Sequence, residues 1–508
     1  MNNGKICVSV AAETVDELIE NIKRAEEYAD VIEVRFDCLR PAEIFKAVGN
    51  LPQIEATYLF TYRPKEQGGV REIPFGERLK FWETIFYHHK TNFIIDIEAE
   101  PEMMMAIETN VITRILSLHY FNSLPNNLDS LFDVLTNVPI TVPKIAVVTN
   151  DIVEGLNVWK LIERAKARER QVIPIAMGEA GKWTRILGLA HGAMMTYGSL
   201  DVGSETAPGQ VTAKDLIDIY RVKQLDLDTK VFGVIGDPVS QSLSTYMHNP
   251  AFVDCGINAV FIPLLVKNID EFMRRMVKME TREVELNFDG FSVTMPHKQS
   301  IMKHLDAIDP IAKKIGAVNT VKIEGDKLIG YNTDAHGFIT PLKEKFGDLK
   351  DTRVAVFGAG GAARACVYAL KQENADVTVI GRDPQKTESF GEEFGIRSTQ
   401  LTTDYRLPTT DFDIVVDTTP LGMKGPFEND SLFTAEQLDG VKFVYDLVTK
   451  PSDTPIIREA KKAGIPAIGG LEMLVAQGAM QFEIWTGQTA PLEIMKEAVL
   501  NRILQIQK

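Results

Sequence analysis

The chain has 508 residues, too many for one ordinary domain, and its 45% hydrophobic and 25% charged residues are the balance of a globular protein with ample core. A net charge of −15 argues against nucleic acid or an anionic membrane as a partner, because both reward a basic surface. Four scattered cysteines (Cys7, Cys38, Cys255 and Cys366) form no CxxC, which argues against a disulfide framework or a zinc site and suits a reducing compartment.

The N-terminal stretch "MNNGKICVSVAAE" has neither a basic-plus-apolar signal segment nor an Arg/Ser-rich transit peptide, and no apolar run reaches the length of a membrane span; cytoplasm is the expected location. Short apolar strands then recur: "KICVSVA" (5–11), "DVIEVRFD" (30–37), "ATYLFTYR" (56–63), "FIIDIE" (93–98), "RILSLHYF" (114–121), "KIAVVTN" (144–150), "VIPIAMG" (172–178) and "MMTYGS" (194–199). Most are separated by helical patterns such as "VDELIENIKRAEEYA". Eight strand–helix units in about 220 residues predict a closed (β/α)8 TIM barrel. Pro143 is awkward beside a central strand.

Barrel sites lie at the C-terminal ends of the strands, so those ends are read for chemistry. Strand two ends in Glu33, Arg35 and Asp37, whose two-residue spacing predicts one shared face. Arg63 ends strand three, His119 strand five, and Lys144 lies on strand six. Arg185 follows strand seven; Thr206 and Gln210 follow strand eight. Such a pocket suits a small carboxylated polyol. A charged amine at Lys144 is costly inside an apolar strand. Among neighbouring cations its pKa is expected to fall, leaving a neutral amine for a Schiff base, with His119 as acid/base partner. Taken singly, a strand-end lysine snorkels to solvent and a lone histidine is structural; convergence favours the catalytic reading.

The ordered stretches "DVIEVRFD", "TYRPKEQGG", "SLHYF", "KIAVVTND", "TRILG" and "TAPGQ" resemble type I 3-dehydroquinate dehydratases over roughly residues 5–220. That resemblance implies an imine between Lys144 and the C3 ketone of 3-dehydroquinate, with His119 moving protons at C2 and at the imine carbon. It further implies that Glu33, Arg35, Arg63, Arg185, Thr206 and Gln210 hold substrate hydroxyls and carboxylate. Gln67 departs from the family's usual Glu before the paired glycines, with Glu66 one residue earlier, and is expected to orient His119 without charge. Thr206 stands where Ser is common and keeps the hydroxyl.

The polar stretch "VKQLDLDTK" (222–230) marks a boundary: a barrel over 1–222, a linker over 223–229 and a second enzyme over 230–508. Its expected parts are a substrate-binding part (230–334), a Rossmann part (335–480) and C-terminal helices (481–508). In "RVAVFGAGGAARACVYAL" (353–370), Gly358 and Gly360 permit a tight turn and close approach to a pyrophosphate, Gly361 follows, and Ala363 holds the third place of the pattern. Helix after and strand "DVTVIGR" (376–382) complete a βαβ unit whose helix N-terminus faces phosphates. Arg382 and Lys386 suit the 2′-phosphate of NADP; Asp383 between them is the feature that favours NAD.

Ahead of that unit lie Ser242, Ser244, Thr294, Lys298, Asn319, Asn332, Thr333 and Asp334, ordinary turn residues one by one and a hydroxyl-binding cleft together. "SQSLS", "VTMPHK", "GAVNT", "GYNTD", "GAGGAARA", "DTTPLGM", "YDLVTKPSDTP" and "GLEMLVAQGA" resemble shikimate dehydrogenase across about residues 230–505. By that resemblance Lys298 and Asp334 form the catalytic dyad for reduction of 3-dehydroshikimate. Ser242, Ser244, Thr294, Asn319 and Gln477 bind substrate, and the glycine turn with Arg382 binds NADP. Departures are Gln241 where His is common, Asp417 where Asn is common, and Thr449 where Tyr is common. The whole is expected to dehydrate 3-dehydroquinate to 3-dehydroshikimate and reduce that to shikimate with NADPH, two consecutive steps of one pathway. The rivals are a catabolic NAD-dependent quinate/shikimate dehydrogenase and a non-catalytic metabolite-binding regulator. No nucleic-acid or membrane partner is expected.

Overall fold

The computed structural model describes residues 2–89, 93–107, 113–122, 125–138, 140–240, 242–401 and 411–507. Gln241 lies outside them. Two compact units form, residues 1–231 with 258–287, and residues 232–257 with 288–508. The segment 258–287, which the sequence boundary puts in the second half, belongs to the first unit. No described helix is long and apolar enough to cross a membrane.

The first unit contains β1 (Lys5–Val10), β2 (Val31–Arg35), β3 (Thr57–Thr61), β4 (Phe93–Glu98), β5 (Arg114–Tyr120), β6 (Thr141–Val148), β7 (Ile173–Met177), β8 (Met195–Ser199) and the short β9 (Val211–Thr212). A helix follows each of the first seven strands, and Ala213–Asp218 follows β9. Capping residues start several of them: the Thr14 and Thr212 hydroxyls accept from Glu17 N and Asp215 N. All neighbouring strands are parallel, in the order β7-β6-β5-β4-β3-β2-β1-β8-β9. Side chains from all eight barrel strands, among them Cys7, Val31, Leu59, Ile94, Ile115, Val142, Ile173 and Met195, meet in one interior cluster.

At one seam of the expected barrel, β7 and β8 form no ladder among the described residues. Just below them Met194 N donates to Val172 O at 3.0 Å, and just above Gly178 N donates to Pro208 O at 3.0 Å. The loop after β8 therefore takes up backbone groups that a ladder would use. It approaches so closely that a Cβ on Gly209 would lie 2.2 Å from Gly178 O. Pro143 is tolerated because the β6–β7 ladder begins only at Lys144–Ile173, one residue later.

The second unit has a mixed sheet that includes, in order, Lys230–Gly236, Phe288–Val293, Thr320–Glu324, Lys327–Tyr331 and Ala307–Ile308. A parallel sheet follows with Arg397–Gln400, Asp376–Gly381, Arg353–Phe357, Ile414–Asp417, Phe443–Asp446 and Ala467–Ile468 side by side. In chain order that is 3-2-1-4-5-6, the doubly wound arrangement, whose ligand crevice opens where the order reverses, beyond the ends of Arg353–Phe357 and Ile414–Asp417. Val354, Val356, Val379, Ile414 and Val416 form its core together with Cys366 and Leu370 of the helix Gly361–Gln372.

Candidate active sites

Glu33, Arg35, Arg63, His119, Lys144, Arg185, Thr206 and Gln210 all line one cavity of about 490 Å³, counted to its open mouth. Lys144 is buried on β6; its Nζ donates to Asp96 Oδ2 at 2.9 Å and lies 4.1 Å from the centre of the Tyr197 ring. Asp96, on β4, also pairs with Arg63 at 2.6 Å and accepts from the Ser117 hydroxyl. Burial alone would raise the Asp96 carboxyl, but Arg63 and Lys144 outweigh it and hold the group well below the usual carboxylate range.

Each pocket residue has its own support. Glu33 accepts from Ser9 Oγ at 2.5 Å and Thr61 Oγ1 at 2.9 Å. Arg35 makes a bidentate pair with Asp37 at 2.9 and 2.7 Å. Asp37 is not the third strand residue the spacing predicts: β2 ends at Arg35, and Asp37 sits in the short turn Phe36–Cys38. Its carboxylate there accepts from Val70 N as well, so it braces the pocket wall. Thr206 and Gln210 bond each other, Gln210 Nε2 donating to Thr206 Oγ1 at 3.2 Å.

Two groups are left for chemistry. Arg185 is 3% exposed, and among the described residues it pairs with no carboxylate and its Nε and Nη1 have no hydrogen-bond partner. Burial pushes its guanidinium down to about 10, with Tyr197 opposing. A buried unpaired cation costs several kcal/mol in the free protein unless a ligand anion completes it. His119 Nδ1 likewise has no hydrogen-bond partner among the described residues. Burial first, then Arg63 and Lys144, push its imidazolium well below the ordinary range, so the ring is neutral at neutral pH and free to take a proton. Phe121 stacks on it at 6.2 Å between centroids. Gln67 makes no described hydrogen bond to the imidazole; its Oε1 accepts from the backbone N of His119 at 3.2 Å.

Asp96, Glu98, Ser9 and Tyr197 were not singled out from sequence. The signal for Asp96 and Glu98 was there, the same two-residue spacing at the end of β4 that marks Glu33 and Arg35.

In the second unit Lys298 Nζ donates to Asp334 Oδ2 at 2.5 Å. Lys298 sits in the turn after strand Phe288–Val293, while Asp334 opens the helix Asp334–Phe346. Asn319 Nδ2 donates to Asp334 Oδ1 at 2.8 Å, and lies within reach of Thr333 Oγ1 at 2.9 Å and Gln477 Oε1 at 3.3 Å. Asn332 caps the helix, accepting from Asp334 N and Ala335 N. Ser244 is buried at the first position of Ser244–Asp254, its N donating to Ser242 Oγ at 3.3 Å. Thr294 N donates to Ile235 O at 3.0 Å. No described bond joins Ser242, Ser244 or Thr294 to the Lys298–Asp334 network.

The dinucleotide turn adjoins that network: a Cβ on Gly361 would lie 3.1 Å from Lys298 Cδ. Gly358 has φ +108, and a Cβ there would strike Thr418 Oγ1 at 2.4 Å, so only glycine fits. A Cβ on Gly360 would meet nothing within 4 Å, leaving open space over the N-terminus of Gly361–Gln372. Ala363 is buried in the core beneath. Arg382 and Lys386 are exposed, with no ion-pair partner among the described residues. Asp383 caps the helix Pro384–Phe394, its Oδ1 accepting from Lys386 N at 3.1 Å. Open space, a helix N-terminus and two uncommitted cations fit a phosphorylated dinucleotide.

Residues 6–226 match the family described as type I 3-dehydroquinase. Residues 234–321, 341–423 and 470–500 match shikimate dehydrogenase substrate binding domain, shikimate/quinate 5-dehydrogenase and shikimate 5'-dehydrogenase C-terminal domain. The chain is 33% identical, over 97% of its own length and 84% of the relative's, to the Arabidopsis thaliana protein named bifunctional 3-dehydroquinate dehydratase/shikimate dehydrogenase, chloroplastic. It is 41% identical to the shikimate dehydrogenase (NADP(+)) of Methanococcus maripaludis, over 55% of this chain and 99% of that one. A crystal structure of shikimate dehydrogenase in complex with NADP+ superposes with a TM-score of 0.51 at 38% identity, covering 55% of this chain and 98% of that one.

Proposed function

The chain belongs to the bifunctional 3-dehydroquinate dehydratase/shikimate dehydrogenase family, and on that premise we propose which of its side chains carry the two reactions. It is a lyase joined to an NADP-dependent oxidoreductase of the shikimate pathway. The functional boundary is placed at 223–229, the substrate-binding part at 230–334 and the Rossmann part at 335–480. Its compartment is read as cytoplasm, although the bifunctional relative is named chloroplastic; none of the four cysteines is paired.

In the barrel, the amine of Lys144 adds to the C3 ketone of 3-dehydroquinate and water leaves, giving an imine. Protonated, that imine draws electrons from C2, whose proton passes to the neutral His119 and on to the neighbouring hydroxyl, which departs as water. Hydrolysis of the imine frees 3-dehydroshikimate and restores Lys144. Arg185 takes the substrate carboxylate; Glu33, Arg35, Arg63, Thr206 and Gln210 hold its hydroxyls. The observation that carries this reading is Lys144, Arg185 and an unpaired His119 Nδ1 at one cavity.

In the second unit, NADPH supplies hydride. Gly358, Gly360, Gly361 and Ala363 form its turn, and Arg382 and Lys386 take its 2′-phosphate. The Lys298–Asp334 pair provides the proton to the oxygen of the ketone being reduced, Asn319 fixing the Asp334 carboxylate. Ser242, Ser244, Thr294 and Gln477 contact the substrate.

Borohydride added with 3-dehydroquinate should trap an adduct on the Lys144 peptide of active protein, and Lys298→Ala should abolish shikimate oxidation while dehydration continues. An active protein without that adduct would refute the imine, and full oxidation by Lys298→Ala would refute the dyad.

A further inference from the structure

We propose that Asp417 stands as a carboxylic acid sharing one proton with Asp446, and that this proton holds the loops bounding the dinucleotide turn. The proposal rests on the reading of Gly358–Gly361 as that turn. Asp417 and Asp446 end adjacent parallel strands and are direct partners in the ladder; such strands lie about 4.8 Å apart. Both carboxyls are 0% exposed. They share one face of the sheet, because Val415 and Val444, two residues earlier, both belong to the apolar cluster containing Phe357, Phe433 and Ile456. Two like charges so placed do not both ionise at neutral pH.

The hydrogen bonds show which oxygen is left for the proton. Asp446 Oδ1 accepts from Val448 N at 2.9 Å and Oδ2 from Thr454 Oγ1 at 2.5 Å. Asp417 Oδ1 accepts from Thr419 N at 2.8 Å, and its Oδ2 has no hydrogen-bond partner among the described residues. Among the described residues no cation is paired with either carboxyl. From the flanking strands, Arg353 and Lys442 both bind Asp413 at the opposite end. From the covering helix Pro455–Lys462, Arg458 and Lys461 pair with Asp453, and Lys462 with Glu459. From the segment after Asp417, Lys424, Asp430, Glu436 and Asp439 are exposed and Glu428 partly so; Arg382 and Asp383 are exposed on the far strand. Burial first, then the charge of Asp446, push Asp417 well above the usual carboxylate range; burial pushes Asp446 up to about 6. A protonated Asp417 offers one donor and one acceptor, as an Asn in its place would.

The pair lies directly under the cofactor turn. Asp417 is also the ladder partner of Phe357, the residue before Gly358. Thr418 donates to Phe357 O from both N (3.0 Å) and Oγ1 (2.7 Å), and is the residue that a Cβ on Gly358 would strike. Leu447 N, after Asp446, donates to Asp417 O at 3.0 Å. Both shifts are upward, so the pair's stabilisation is complete below the ordinary carboxylate range. It is lost as pH rises through about 6 and then through the higher second ionisation.

The test is infrared spectroscopy of the full-length protein carrying isotope-labelled aspartate, with NADP+ titrations on the same samples from mildly acid to alkaline pH. A protonated carboxyl band is expected at neutral pH in wild type and is expected to vanish in Asp417→Asn. In Asp446→Asn the band should ionise at lower pH than in wild type. Wild-type affinity for NADP+ should fall by up to about tenfold per pH unit beyond the second ionisation, and Asp417→Asn should lose that dependence; the cofactor's own phosphate titrates alike in every arm. No protonated band in wild type, an unmoved midpoint in Asp446→Asn, or an affinity profile that Asp417→Asn leaves unchanged would each overturn the proposal. A band with no NADP+ binding at any pH would reject the turn.

Discussion

Lys144 Nζ lies 2.9 Å from Asp96 Oδ2, and the face of Tyr197 covers it from 4.1 Å. A carboxylate and an aromatic face both attract a cation, so the amine is held in place within the strand instead of reaching for solvent. Asp96 is itself fixed by Arg63 and Ser117, which makes it the positioning residue for the lysine.

Asp96→Asn is therefore expected to slow dehydration by at least about tenfold, the loss of one charge-assisted bond. Borohydride trapping on Lys144 should slow in step, and shikimate oxidation should be unaffected. Trapping and turnover at wild-type rates would show that Asp96 does not place the amine.

The depressed His119 places an acid limb in the dehydratase profile. A histidine with a lowered folded-state pKa is neutral, and its contribution intact, above the ordinary imidazole range; both are lost as pH falls through the lowered value. Dehydration should thus persist into acid well below the ordinary histidine midpoint. Gln67→Glu places a carboxylate beside the His119 backbone and should move that limb toward higher pH. Superimposable pH–rate profiles would show that residue 67 does not tune the ring.

Arg185→Ala removes a buried guanidinium whose Nε and Nη1 have no partner among the described residues. Its loss should raise the KM for 3-dehydroquinate by about 10- to 150-fold, the range of 1.5–3 kcal/mol for a hydrogen bond to a charged group. Arg185→Lys should restore only part, since an ammonium lacks the planar fork. An unchanged KM in the alanine variant would move the carboxylate elsewhere.

Arg382→Ala should raise the KM for NADPH much more than for NADH. Asp383 serves as a helix cap, so Asp383→Ala would mix a charge effect with about 1 kcal/mol of lost capping. Asp383→Asn keeps the cap and removes the charge, and should shift selectivity further toward NADPH. Equal losses with both cofactors in Arg382→Ala would place the 2′-phosphate away from this arginine.

Local pattern was legible along the chain. Strand and helix periods predicted the barrel units and the doubly wound half. Two-residue spacing brought Glu33 and Arg35 to one mouth, and the glycines of 358–361 marked a turn that other side chains would obstruct. Partners distant along the chain became identifiable only in the folded molecule. Asp96 is 48 residues from Lys144 yet bonds it, because parallel strands bring their ends together whatever lies between them. Period alone did not distinguish Asp37, which turns away to brace Arg35, from Asp96, which faces the lysine; where each strand stops made that difference. Asp383 read as a charge opposed to NADP until the helix N-terminus beside it explained its presence. The register of two strands set Asp417 against Asp446. Protonation belongs to this second class, because it follows from burial and facing charge, and both exist only once the chain is folded.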